Sequence, residues 1–559
     1  MWDLWLFLFG SISIIGCWGI DLQHSRVMTV RGRKDSTLLR WGVDRQNQEI
    51  VLEIQVPRAS WVALALNSEG SLTGSDVVIG GWNGDTETFF YDAYIDSQWP
   101  PTKDDFQDYE FLELRRNETH SVLRVWRKWF TCDPQDFAFE DCTTYVTAYF
   151  GDRQDLQDGA KNAFSRSIYF MEVKSEVNLP ANLLYYDIKM NDYLIPEQDT
   201  TYACTFIPLP QVATKHHIVK YEVNIDPKSE GIVHHILIYA CDNNMEIIPE
   251  PGYCHGGDSR YFQCMNVLFG WAVGGEDYYF PENAGVSIGT KDDPQYVRYE
   301  IHYSNFDGIS GIKDNSGIRI LYTPEVRKYD AGVLMLGVFT FPIQFIPPGS
   351  KNFRSYGLCD TKLIPQLLDE PPEDLIASSF LLHAHLTGHG LRLLHYRNGT
   401  LIGSLGQDNS YDFGFQQIRY FPEAITIKMG DQIVVECTGN TMDRDSVTYG
   451  GPSSLNEMCL GFIFYYPYIP IAACWSYYDL HHVIEALGMD PVESVMDAVL
   501  SMDTVDWDDE TRAKAQRAIM ECNHTVIVQN RRMNQVNETS LLPPIVPPTH
   551  HTCVRPAAP

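Results

Sequence analysis

The chain has 559 residues, too many for one domain of ordinary size, and its 44% hydrophobic and 21% charged residues are those of a globular protein. Acidic residues outnumber basic ones 73 to 42, and the resulting net charge of −31 argues against a nucleic-acid partner and against a polybasic hold on anionic lipid.

Residues 1–19, MWDLWLFLFGSISIIGCWG, carry an apolar run of signal-peptide length, too short to span a bilayer comfortably. The competing reading is a buried N-terminal strand, since the leading residues include Asp3 and no Lys or Arg. Cleavage after this segment removes Cys17 and leaves twelve of thirteen cysteines, an even number that suggests six disulfides in an exported chain. Four N-x-S/T sequons, at Asn117, Asn398, Asn523 and Asn537, are compatible with glycosylation in the secretory pathway. No later run reaches the length of a membrane span, so the expectation is a lumenal or secreted protein without a transmembrane anchor.

From Thr37 to Phe150 the pattern is short strands, such as EIVLEIQV at 49–56, SWVALALN at 60–67 and SVLRVWR at 121–127, separated by Gly/Asn/Asp turns. This predicts a β-sandwich, followed by a polar linker over 151–162. A second all-β region runs from Thr201 to Pro348 and a third over 353–475, with strands that include GIVHHILIYA, VRYEIHYSN, SSFLLHAHLTG and GFIFYYPY. Helices are predicted between Tyr477 and Met520, then a Pro-rich extended tail.

Nucleophile-elbow, P-loop, HExxH and dinucleotide motifs are absent, which leaves histidine as the residue to follow. Seventeen histidines give about half an adjacent pair by chance, so each pair is judged by context. His216 and His217 begin a strand and read as structural, His481 and His482 lie on a helix, and His550 and His551 lie in the tail. His234 and His235 lie inside an apolar strand, where neighbours face opposite sides; joint ligation needs a twist, a bulge or different ring nitrogens. His383 and His385 are two apart on a strand and face one way. His302 lies in another strand, and Met458 precedes an aromatic run, where methionine is more often core than ligand. Taken together, a three-histidine set and a set of two histidines with a thioether suggest a pair of redox coppers.

These motifs resemble the copper type II, ascorbate-dependent monooxygenases, the family of dopamine β-hydroxylase. The likeness runs through TTYACTFIPLP at 200–210, VHHILIYACD at 233–242, VRYEIHYSN at 297–305, LLHAHLTGHG at 381–390 and NEMCLGFIFYYP at 456–467. The N-terminal region, with SDVVIGGW at 75–82 and TCDPQDF at 131–137, is similar to the DOMON domain that precedes the catalytic core in such proteins. The resemblance implies a mainly β chain: signal peptide 1–19, DOMON sandwich 30–155, two jelly-roll-like monooxygenase domains at 190–345 and 346–500, and a short helical and extended C-terminal segment over 501–559. It implies two copper ions per subunit, one on His234, His235 and His302 for electron storage. The other, on His383, His385 and Met458, binds O2 and hydroxylates a C–H bond of a small organic substrate, with ascorbate as reductant. His383 and Tyr202 are the catalytic candidates; a packed strand tyrosine is the alternative for Tyr202.

By the same resemblance the disulfides are Cys204–Cys254, Cys241–Cys264, Cys359–Cys474, Cys437–Cys459 and Cys132–Cys553, with Cys142 and Cys522 paired only by elimination. Three departures bear on substrate. The stretch SSFLLHAH lacks the arginine by which peptide-amidating relatives hold a carboxylate. Gly461 and Phe462 stand where those relatives carry a tyrosine, and Met335 stands where amine-hydroxylating relatives carry a glutamate. In the sandwich, haem ligation is disfavoured because His120 is the only histidine between residues 30 and 160, and Asp76 and Asp108 read as solvated acids before cation ligands. The alternative to an enzyme is a secreted copper-binding or DOMON ligand-binding protein without turnover. Homo-oligomerisation and peripheral membrane association stay open.

Overall fold

The structure, a computed structural model, describes residues 20–548 apart from 30–35, 85, 160–161, 176, 244–246, 248–249 and 256–259. The expected signal segment, and Cys553 with its expected bridge to Cys132, lie outside the described residues. The chain divides into two compact units, one ending at Met171 and one spanning Glu172–Pro548.

The first unit is a sandwich of a five-stranded and a six-stranded antiparallel sheet. Its central strand Trp61–Asn67 is buried along its whole length. One set of alternate residues, Trp61, Ala63 and Ala65, is covered with Val77 and Ile79 by Trp99, Tyr149 and Leu156. The segment over 151–162 is therefore no free linker. Leu156 packs into this cluster, its carbonyl accepts from Trp99 Nε1 (2.7 Å), and the strand Ala163–Ile168 that follows pairs with Thr144–Gly151. Nor is Asp76 a solvated acid. It is 1% exposed, and its Oδ2 accepts from Arg127 Nη1 (2.5 Å), the Tyr109 hydroxyl (3.0 Å) and Phe137 N (2.9 Å).

The second unit contains two sandwich layers in series. In its N-terminal half, a five-stranded sheet runs in the order Gly252–Tyr253, Thr200–Pro208, Tyr296–Ser304, Val233–Ala240, Asn266–Ala272. In its C-terminal half, a seven-stranded sheet runs Arg419–Ile427, Leu375–Ala384, Cys459–Tyr466, Gly332–Val338, Ile471–Tyr478, His524–Asn530, Gln535–Ser540. The inner strands of this sheet are buried on both faces, which explains why Gly332–Val338, Cys459–Tyr466 and Ile471–Tyr478 are apolar throughout rather than alternating. Along Cys459–Tyr466, Cys459, Ile463 and Tyr465 point into the core of the C-terminal sandwich, whereas Leu460, Phe462 and Phe464 join the core built around the five-stranded sheet.

The helices Leu480–Ala486, Val495–Met502 and Asp509–Glu521 are each N-capped by a side chain (Asp479, Ser494, Asp508) and pack Val483, Met502 and Ile519 onto the C-terminal core. The chain beyond them does not trail away. His524–Asn530 and Gln535–Ser540 form a hairpin that extends the seven-stranded sheet, because Val526 and Val528 are buried in the same core.

Between described residues, four disulfides join Cys204–Cys254, Cys241–Cys264, Cys359–Cys474 and Cys437–Cys459. Cys522 is a buried thiol at the C-terminal cap of helix Asp509–Glu521, and burial pushes it up to about 11. Among the described residues no helix is long and apolar enough to cross a membrane.

Candidate metal centre

His235 and His302 face each other directly across neighbouring strands, and Tyr202 pairs with His302 on its other side. His234 joins them through a β-bulge: Val233 pairs with Tyr303 and His235 with His302, so His234 is the extra residue. A bulge re-aims the side chain of the unpaired residue, which is how two adjacent histidines come to serve one point. Ring centroids of His302 lie 5.0 Å from His234 and 4.8 Å from His235, and one nitrogen from each of the three rings lies within 4.8 Å of the others. Three metal–nitrogen bonds of about 2.0–2.1 Å set their nitrogens about 3.3–3.6 Å apart, so the rings need to close by at most about 1.5 Å to share an ion.

The second set lies at the ends of two paired strands. Ala384 pairs with Cys459, which places His383 and His385 beside the residue preceding Cys459, Met458. The rings of His383 and His385 are perpendicular with centroids 5.3 Å apart. The Cys437–Cys459 disulfide anchors the backbone next to Met458. Buried Glu457 ties the two strand ends together: its carboxylate accepts from His385 N (2.5 Å), Thr387 N (3.1 Å), Met458 N (2.7 Å) and the Thr387 hydroxyl. Burial pushes this carboxyl up, against the lowering effect of the Thr387 hydroxyl and the backbone donors.

The two sets adjoin instead of standing apart, with the rings of His235 and His383 5.7 Å between centroids. His235, His383, Met458 and Tyr202 line one cavity of about 440 Å³ between the two halves of the unit. Tyr202 stacks on His302 at 4.3 Å and 8°, and among the described residues its buried hydroxyl has no hydrogen-bond partner. It therefore sits against the three-histidine set.

Several partners select ring nitrogens. His234 stacks on Phe413 at 4.0 Å and its Nε2 lies 3.0 Å from the Phe413 carbonyl oxygen, which leaves Nδ1 as the donor atom toward His235. His383 Nδ1 lies 2.8 Å from Gln416 Oε1, which leaves Nε2. His302 Nδ1 and both ring nitrogens of His385 are buried without a hydrogen-bond partner of ordinary geometry. Orphaned buried nitrogens are costly, about 1–3 kcal/mol each, and their clustering fits residues that await an ion.

Electrostatics agree with that fit. Burial pushes the His234 imidazole down to about 3. Burial, with the neighbouring imidazoles second, holds His235, His302 and His385 well below the usual range, and burial lowers His383. All five rings are thus neutral at physiological pH, the form that ligates metal.

Of the other histidines, His255 lines the same cavity with its ring edge-on to Tyr202 at 5.1 Å, and the rest singled out in the sequence serve elsewhere. His217 Nε2 bonds Asp330 Oδ1 at 2.7 Å, a structural role, and His481 and His482 begin a helix. The four sequon asparagines are exposed. Gln416, Glu457, Phe413 and the Ser454 hydroxyl, 3.3 Å from His302 Nε2, escaped the sequence reading. Only Glu457, adjacent to Met458, carried a positional hint.

Residues 34–151 match the DOMON domain, 186–310 the N-terminal domain of copper type II ascorbate-dependent monooxygenase and 329–486 its C-terminal domain. The mouse DBH-like monooxygenase protein 2 is 40% identical over 521 residues, which cover 93% of this chain and 84% of the relative. The human putative DBH-like monooxygenase protein 2 is 42% identical over 501 residues, covering 88% and 99%. Rat dopamine beta-hydroxylase is 33% identical over 472 residues, covering 81% and 75%. The chain belongs to the copper type II ascorbate-dependent monooxygenases. That family implies copper, and the buried neutral imidazoles described above suit it. Among solved structures, the cytochrome domain of Myriococcum thermophilum cellobiose dehydrogenase covers 26% of this chain at 9% identity and a TM-score of 0.22, too low to bear on function.

Proposed function

We propose that the protein is a lumenal or secreted copper monooxygenase that hydroxylates a C–H bond of a small organic substrate, using O2 and ascorbate. The observation that carries this reading is the single cavity onto which His235, from one set, and His383 and Met458, from the other, all open. His234, His235 and His302 hold one copper ion, and His383, His385 and Met458 hold a second. When bound, copper supplies one-electron storage and the activation of O2.

The chain's own contributions follow from the geometry. The Met458 thioether is a soft donor beside two imidazoles and favours Cu(I); the family resemblance assigns oxygen chemistry to that set and electron storage to the all-nitrogen set. Gln416 fixes the ring orientation and tautomer of His383, and Glu457 holds the main chain of His385 and Met458. Apolar walls limit water around the reacting bond. The Tyr202 hydroxyl is a buried donor at the cavity wall, and burial keeps it protonated, well above the usual tyrosine range.

Copper quantification on the purified chain, followed by ascorbate-dependent oxygen uptake with a panel of organic substrates, tests the proposal. Two copper ions per chain and substrate-stimulated oxygen uptake are expected. Stoichiometric copper without turnover under any substrate would favour a copper-binding protein instead.

A further inference from the structure

The cavity floor is built from two adjacent cross-strand rows on one face of the seven-stranded sheet. In the first, His383 pairs with Leu460, Leu460 with Gly337 and Gly337 with Trp475. In the second, Leu381 pairs with Phe462, Phe462 with Met335, Met335 with Ala473, Ala473 with Gln529 and Gln529 with Gln535. From His383 outward the floor is thus apolar until it reaches the C-terminal hairpin, whose Gln529, Met533 and Gln535 form the far end. Met533 sits at the hairpin turn, 41% exposed, and its sulfur lies 3.2 Å from Gln529 Nε2. This hairpin lies beyond the 329–486 match to the family's C-terminal domain.

Charge is scarce on these walls. Arg298 and Glu300 line the cavity, and each is already engaged: Arg298 Nη2 lies 3.3 Å from Glu300, its Nη1 donates to Tyr261 O at 2.6 Å, and its guanidinium covers the Tyr239 ring at 3.8 Å. The Tyr239 hydroxyl lies 3.3 Å from Glu300 Oε1. The pair is neutral as a unit. An ion entering the cavity would shed water without finding an uncommitted counter-charge, whereas an apolar molecule would gain from burial. The volume of about 440 Å³ suits one small organic molecule.

We infer that the cavity selects an uncharged, largely apolar substrate, such as an arene with a short alkyl side chain. Met335 sets the preference for neutrality, and the C-terminal hairpin forms the specificity wall at the mouth. This inference rests on the monooxygenase reading for its chemistry but not for its binding test.

Three probes of nearly equal shape separate the possibilities: n-propylbenzene, phenethylammonium and 3-phenylpropionate. Their affinities for the full-length protein are read by ligand-observed NMR titration, without copper and again with copper under anaerobic conditions. The arene should bind at least about tenfold more tightly than either ion. Met335→Glu should shift the ratio of ammonium to arene about tenfold toward the ammonium, while Met335→Gln, of similar size and no charge, should leave the ammonium unimproved. Met533→Ala, an exposed turn substitution, should weaken the arene about threefold or more at unchanged copper content. Equal or tighter binding of either ion, or an unchanged ratio in folded Met335→Glu, would overturn the assignment. Unchanged arene affinity in Met533→Ala would overturn the hairpin's part in it. Failure to bind copper or consume oxygen would overturn the monooxygenase reading, and the binding preference is measured independently of it.

Discussion

Gln416 Oε1 lies 2.8 Å from His383 Nδ1, and the same side-chain amide nitrogen lies 2.9 Å from the carbonyl of Phe413 and 3.5 Å from His234 Nε2. One glutamine thus touches a histidine of each set. An acceptor on Nδ1 keeps that nitrogen protonated and presents Nε2 to a ligand, the usual way in which a partner outside the ligand set tunes a metal site.

Gln416→Leu should therefore weaken Cu(I) binding at the His383 set by about 10–100-fold, as loss of such partners typically does. Gln416→Glu, which keeps an acceptor, should lose much less. Anaerobic titration against a chromogenic Cu(I) competitor measures this, and equal affinities for Gln416→Leu and the parent protein would refute the orienting role.

The donor sets predict different failures. Met458→His should retain copper but lose most hydroxylation, since a third imidazole favours Cu(II) over Cu(I). His302→Ala should mainly slow reduction or electron delivery. Copper counting, anaerobic stopped-flow reduction and product assay on both variants check this. Full activity in Met458→His would sink the assignment of roles.

Glu457 predicts a link between stability and ligand placement. Glu457→Ala leaves three buried backbone N–H groups and the Thr387 hydroxyl without their acceptor, at a cost on the order of 3 kcal/mol or more. Glu457→Gln, which retains one oxygen, should lose less. Thermal unfolding gives the stability, and the C–O stretch of a Cu(I) carbonyl reports whether the donor set has moved. An unshifted stretch in folded Glu457→Ala would leave Glu457 with only a structural role.

The first sandwich should be more stable in mild acid. Burial, with the charge of Asp76 second, raises Asp92 to about 8 and Asp136 to about 7. The groups that face them are Asp76, Arg127, Asp136 and the backbone N–H of Asp108 for Asp92, and Asp76, Arg127, Thr131 and the Asp108 carboxylate for Asp136. In the unfolded chain both carboxyls titrate near about 3.9. The folded state thus holds protons that the unfolded state releases, so the stability they confer is complete below about pH 4 and is lost as pH rises toward about 8. The slope is at most about 1.4 kcal/mol per pH unit for each carboxyl. Calorimetry of the full chain between pH 5 and 8 should show a falling Tm, and Asp92→Asn should flatten part of it. A Tm independent of pH in this range would contradict the prediction.

Sequence alone carried much of this protein. Alternation and turn residues marked the strands, the HxH spacing placed His383 and His385 on one side of a strand, and the order of histidines with Met458 pointed to two donor sets of different softness. Those features are local, or are ordered lists of residue types, and need no coordinates. Tertiary structure decided the rest. The bulge at His234 depends on how Val233–Ala240 meets Tyr296–Ser304, a pairing between segments about sixty residues apart. Gln416 and Glu457 matter because of where other chain segments end, and neither residue type is diagnostic on its own. The segment over 151–162 read as a linker because it is polar, and the stretch containing Gln535–Ser540 read as an extended tail because it is Pro-rich. They are held by partners, Trp99 for Leu156 and the paired strand His524–Asn530, that a local window does not see. Asp76 looked like any surface acid until the fold placed Arg127 against it. Periodicity reports which face of an element is buried, but contacts between distant segments decide what it is buried against, and at this site that second fact selects the ring nitrogens and shapes the cavity.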